Sequence, residues 1–161
     1  MWGTAETSAV LTNPKPVPTV WRLAAVPAVA MTAAVLFCGS RSTRFARMVR
    51  LACAGHQLWP ASHAQARYAV HAVRWVSVWA PVRWACLEES AAAAVLLAMA
   101  GRRAEWRHGI ATDPVRLHAW IADPSGMPVA EPTSTDLYIV TFTPDGPPPQ
   151  GMGTHEENTV D

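Results

Sequence analysis

The sequence predicts one α+β domain in which helices come first and a small antiparallel sheet follows. Three observations lead there. From about residue 19 to residue 80, apolar residues recur at helical spacing and prolines interrupt them. From Cys86 to Ala100 the chain is apolar beyond Ser90, and Gly101 ends the run. After Gly101 the pattern changes to short segments separated by turn sequences. Helices followed by a short meander indicate an α+β arrangement with a central helix against a small antiparallel sheet.

The elements follow in order. Residues 1–18 include Asn13-Pro14-Lys15-Pro16-Val17-Pro18 and little that could enter a core, so they read as disordered. Residues 19–80 read as a helical N-terminal part. Its first helix centres on Leu23–Phe37, apolar apart from Thr32. That run is shorter than the roughly 20 residues a bilayer span needs, and it lacks the basic flank of a signal peptide. A buried or partly buried helix is therefore expected, with membrane-surface contact as the alternative. Arg41, Arg44, Arg47 and Arg50 fall on one slowly drifting helix face, expected to be solvated, with Phe45, Met48, Val49 and Ala52 on the other.

Pro60 breaks the pattern. A second amphipathic helix runs from about Ser62 to Trp79 and is closed by Pro81. One face carries His63, Arg67, His71 and Arg74; the other carries Ala66, Ala69, Val70, Val73 and Val76. Residues 81–143 then hold the all-apolar helix and four expected strands: Ala104–Ile110, Arg116–Asp123, Met127–Glu131 and Leu137–Phe142. Residues 144–161, with Pro147-Pro148-Pro149 and Glu156-Glu157, read as a disordered tail.

Composition narrows the function classes. Net charge is +1, so nothing global argues for nucleic acid or an anionic membrane. Cys38, Cys53 and Cys86 are an odd number at wide spacing, unlike a secreted disulfide framework and compatible with a reducing cytoplasm. Cys53, His56 and His63 match no four-ligand zinc spacing, and no nucleotide-binding glycine motif is present, so neither metal nor cofactor is expected.

Cys86, His118 and Glu131 carry the chemistry. A thiol in the first turn of a helix meets free backbone N–H groups and the positive end of the helix dipole, which favour the thiolate. His118 sits in a strand-like stretch that puts it on one face with Trp120. Glu131 lies where a hairpin after Asp123-Pro124-Ser125-Gly126 would return the chain beside His118, and Asp123 is the rival acid. Glu88 and Glu89 oppose a thiolate one turn away, so both should turn to solvent or to an arginine. Each of the three residues has an ordinary reading too: a small buried Cys, a hydrogen-bonded strand His, an exposed loop Glu. Together, in this order, they allow nucleophile, base and orienting acid.

The wording of these stretches resembles a family. Ala85-Cys86-Leu87-Glu88-Glu89-Ser90, Gly101-Arg102-Arg103, His118-Ala119-Trp120-Ile121 and Gly126-Met127-Pro128-Val129 with Glu131-Pro132 look like the lasso-peptide leader peptidases, in their standalone protease form. The likeness covers about residues 61–142. It implies a papain-like, transglutaminase-like core and a cysteine peptidase that removes the leader from a ribosomally made precursor. Carried over, Cys86 is the nucleophile, His118 the base and then acid, and Glu131 the orienting acid, where the wider superfamily commonly has Asp. It also implies a separate leader-recognition protein, a lasso cyclase acting on the freed core peptide, and a cut after a leader whose penultimate residue is Thr. The alternatives are a transglutaminase-like acyltransferase or amidase using the same residues, and a non-catalytic partner- or membrane-binding helical protein.

Overall fold

The computed structural model describes residues 16–80 and 84–146. Of the expected disordered ends 1–18 and 144–161, residues 1–15 and 147–161 lie outside the described residues, as does the Pro81 helix stop. Four helices come first: α1 (Thr19–Phe37), α2 (Arg44–Ala52), α3 (His63–Ser77) and α4 (Cys86–Met99). Strands β1 (Trp59–Pro60) and β2 (Arg102–Arg103) form a minimal parallel pair. Strands β3 (Glu105–Thr112), β4 (Val115–Ala122) and β5 (Ile139–Phe142) form an antiparallel sheet of order β4-β3-β5. The fold is α+β.

The central helix is α4. Ala91 through Leu97 are all buried, because α1, α2 and α3 pack on it from the helical side and β4 from the sheet side. Four consecutive alanines, Ala91–Ala94, let these neighbours approach closely, while Leu96 and Leu97 fill the space further along; full burial contributes about 1.5–3 kcal/mol for each Leu. Trp106, fully buried on β3, donates its indole N–H to the Ser90 hydroxyl at 2.9 Å and so ties the sheet to α4.

The helix starts are chemically specified in one case and open in another. At α3 the Ser62 hydroxyl accepts the Gln65 N–H while Gln65 Oε1 accepts the Ser62 N–H, a reciprocal cap. At α4 the preceding residue is Ala85, which has no side-chain acceptor. The first-turn amides of α4 are left for something else.

Three expectations change. The helical stretch 19–80 breaks at Pro60 as expected, and a short turn at Arg41–Thr43 divides it once more. The arginine face of α2 is not simply solvated: Arg44 pairs with buried Glu88 at 2.6 Å, and Arg47 donates to the carbonyls of Val35 and Ser40. Met127–Glu131 is not a strand. It contributes a single bridge, Pro128 to Ala122, plus the Val129 N–H to the Ile121 carbonyl. Pro128 has no N–H to extend a ladder, and Ala130 has φ +56°, which turns the chain out of extended geometry.

Gly109 on β3 lies opposite His118 on β4. A Cβ there would stand 2.8 Å from the Ile139 carbonyl oxygen and 2.9 Å from the ring of Trp120. Gly109→Ala should therefore lower stability by about 1–3 kcal/mol, the usual cost of overpacking. Urea unfolding would read that loss, and an unchanged midpoint would mean that the strand yields freely.

Candidate active site

Helix α4 begins at Cys86, so the sulfur sits at the positive end of a buried 14-residue helix. Strand β4 runs beside this helix start and presents His118 and Trp120 on one face. The loop after β4 brings Glu131 in from the far side. The three residues line one small cleft, together with Arg74, Trp84, Glu89 and Trp120.

The contacts run as a chain. His118 Nε2 and Glu131 Oε2 are 2.8 Å apart. With Nε2 committed to the carboxylate, Nδ1 is the ring nitrogen left for Cys86, which lines the same cleft. Trp120 stacks on the His118 ring, with centroids 5.6 Å apart and planes 15° apart, and Tyr138 packs beside both rings, 5.2 Å from His118 and 6.3 Å from Trp120. Glu131, Trp120 and Tyr138 together hold the imidazole in position and orientation.

The electrostatics favour charge separation. Burial pushes the Cys86 thiol up, but hydrogen bonds from His118 and the Ala119 backbone, and the attraction of the imidazolium, bring it below its ordinary value. Burial pulls His118 down, yet hydrogen bonds to Cys86 and Glu131 and the attraction of the Glu131 carboxylate raise it to about 9. The two shifts are reciprocal, as a thiolate–imidazolium pair demands.

The acids near Cys86 are diverted. Glu88, almost fully buried, accepts the Ala85 N–H at 3.1 Å and the Arg44 guanidinium at 2.6 Å. Glu89 accepts Arg74 Nε at 3.3 Å. Asp123, the rival acid, is not in the cleft: it pairs with His63 at 3.0 Å and accepts the backbone N–H groups of Ser125 and Met127. Cys38 is exposed and Cys53 partly so, both as free thiols. His56 Nδ1 contacts the Cys53 carbonyl while His63 goes to Asp123, so these residues do not converge. Among the described residues no cluster of three His, Cys, Asp or Glu could hold a metal ion.

Arg74 is the residue that sequence reasoning left on a polar helix face. Its guanidinium donates to Glu131 Oε1 at 2.6 Å, to the Ala130 carbonyl at 2.6 Å and to Glu89 at 3.3 Å. It thereby holds the one non-glycine residue with positive φ among the described residues, directly before Glu131. The Glu131 side chain is 6% exposed and the Arg74 side chain 37%. Loss of Arg74 falls between the roughly 3–5 kcal/mol of a broken buried pair and the ~0–1 of a surface one, so Arg74→Met should cost about 2 kcal/mol. Arg74→Lys keeps the charge but cannot reach three acceptors. Arg74→Lys, which keeps the cation while loosening Glu131, should also lower the alkaline limit of His118, a change that a purely structural residue would not produce. An unmoved pH profile in it would deny Arg74 this positioning role.

The family model of the transglutaminase-like superfamily matches residues 28–143, a span that includes all three residues of the chain of contacts. No curated protein and no solved structure matches the chain. The matched span covers most of the sequence, and the chain belongs to the transglutaminase-like superfamily.

Proposed function

We propose that the protein is a cysteine peptidase that removes the leader from a ribosomally made lasso-peptide precursor, assisted by a separate leader-recognition protein. The observation that carries this reading is the convergence of Cys86, His118 and Glu131 in one cleft at the open start of α4. The ordered wording from Ala85 to Pro132 supports the choice of substrate class.

The reaction is acyl transfer to water. The Cys86 thiolate attacks the carbonyl carbon of the last leader residue, and the π electrons move onto oxygen. The Cys86 backbone N–H, in the uncapped first turn of α4, is one donor to that oxyanion. Trp84 and Trp120 both line the cleft with a buried indole N–H that has no partner, and Trp84, two residues before Cys86, is the second donor in this reading. The tetrahedral adduct collapses, the C–N bond breaks, and the His118 imidazolium gives its proton to the departing amine of the core peptide. Water then attacks the thioester, His118 accepts its proton, and the leader leaves as a carboxylic acid while the Cys86 thiolate is restored. Glu131 keeps the imidazole oriented and stabilises its positive form throughout.

The test is to incubate the protein with the short precursor and the small recognition protein encoded near it, and to map products by mass spectrometry. A single cut that leaves Thr penultimate in the leader is expected. Amine incorporation into a glutamine peptide without any cut would favour a transglutaminase-like acyltransferase, and neither reaction would leave a non-catalytic binding protein.

A further inference from the structure

Overall charge balance hides a segregation. From Thr7 to Leu87 the sequence contains nine Lys and Arg and no Asp or Glu, whereas residues 88–161 contain four Lys and Arg against eleven acids. Helices α1, α2 and α3 carry Arg22, Arg44, Arg47, Arg50, Arg67 and Arg74 and no acid; Arg44 and Arg74 are paired with Glu88, Glu89 and Glu131, and the other four leave this layer cationic. On that layer α1 exposes a continuous apolar stripe: Val20 (68% exposed), Leu23, Val26, Met31 and Phe37 (72%). With exposed Pro27, Ala30 and Ala34 between them, these positions recur at helical spacing along about 26 Å. The opposite face of α1, with Ala25, Ala28, Val29 and Thr32, is buried against the rest of the fold.

Basic and aromatic groups rim the stripe. At one end Arg22 lies over the ring of Trp75, 5.5 Å from its centroid, and Trp75 and Trp79 are both mostly exposed. At the other end Arg47 is tied to the Val35 carbonyl, with Arg41 and Arg50 exposed nearby on the following elements. We propose that α1 lies in the plane of an anionic lipid surface, its stripe in the acyl boundary and its arginines among the headgroups. Aromatic rings at the rim and cations beside an apolar face are what such an interface accommodates.

The occupant follows from charge and from hydrogen bonding. A second copy of this chain would bring two cationic rims together. The stripe offers no hydrogen-bonding side chain, and a lipid interior asks for none. The helix is long and apolar enough to cross a bilayer by length and composition. Crossing would strip Ala25, Ala28, Val29 and Thr32 from α3 and α4 and uncover the core, so lying flat is the state compatible with the fold. The proposal is independent of the peptidase reading, because neither Cys86 nor its cleft takes part.

The experiment is co-sedimentation of the full chain with vesicles of phosphatidylcholine alone or with about 30% phosphatidylglycerol. Binding to the anionic vesicles at least about tenfold tighter than to the neutral ones, falling as salt rises, is expected. Leu23→Glu with Met31→Glu should abolish it while the melting temperature stays unchanged, since both side chains are exposed. A second measurement leaves the stripe intact: an environment-sensitive dye on exposed Cys38, just past α1, in a Cys53→Ser, Cys86→Ser background, should shift to the blue on anionic vesicles. Carbonate should extract the bound protein. Equal binding to neutral vesicles, no binding and no dye shift, resistance to carbonate, or a lipid-free dimer or acidic-protein complex as the sole species lost in Leu23→Glu/Met31→Glu would each overturn the proposal.

Discussion

Cys86→Ala should abolish the proposed leader cleavage, with a loss of roughly 10^5-fold or more, because Cys86 is the one thiol lining the cleft and the Ser90 hydroxyl there is committed to the Leu87 carbonyl and the Trp106 indole. Cys86→Ser should be almost as inactive. A hydroxyl has a far higher pKa than a thiol, and the contacts that stabilise a thiolate beside His118 do not suffice to ionise an alcohol. Both substitutions are nearly isosteric at a half-buried position and should leave unfolding unchanged. Cleavage by purified Cys86→Ala at the wild-type rate would remove the nucleophile assignment, whatever the substrate.

His118→Ala should cost on the order of 10^4-fold, because in the proposed reaction one side chain serves as base, as acid and as the cation that holds the thiolate. The pH dependence separates these roles. In the wild type the sulfur must be ionised and the imidazole protonated. The rate should rise as pH passes the lowered Cys86 value and fall as pH passes about 9, where His118 loses its proton. In His118→Ala the cation is gone, the thiol returns toward its ordinary range, and the residual rate should climb through that range with no descending limb near 9. Rates of hydrolysis across pH 5–10 would show it. A residual profile shaped like the wild type would mean that another group is being titrated. Glu131→Gln should cost less than His118→Ala, since it removes an orienting partner and not the proton carrier.

Much of this site is legible before any coordinates exist, and the part that is not has a physical reason. The start of α4 can be read because an apolar run on every side must be buried, and its first residue is a cysteine. His118 and Trp120 on one strand face follow from two-residue alternation, and they do stack. The path to Glu131 is read less well. A run of Met-Pro-Val-Ala suggests a strand, but Pro128 cannot extend pairing and Ala130 bends away at positive φ, a conformation that no local rule assigns to alanine.

Arg74 is beyond reach from sequence for a different reason. Periodicity says which side of α3 it occupies but not that Glu131, Ala130 and Glu89 meet there from three other stretches. Helix α1 is read only in outline by the same token. It is apolar on both faces, so no contrast marks which side is covered; the expected buried or partly buried helix is partly buried, and its long exposed stripe is not visible in the pattern. The charge segregation that accompanies it was available in the sequence all along, masked by a net charge near zero.

The central claim is that Cys86 and His118 form an ion pair at the start of α4, and alkylation of Cys86 as a function of pH tests it most directly. Iodoacetamide labelling, followed at that residue by peptide mass spectrometry, should rise with an apparent pKa below that of an ordinary thiol, and the rise should move upward in His118→Ala. A Cys86 that stays inert, or that titrates in the ordinary thiol range in both proteins, would contradict the ion pair and the acyl-transfer chemistry built on it.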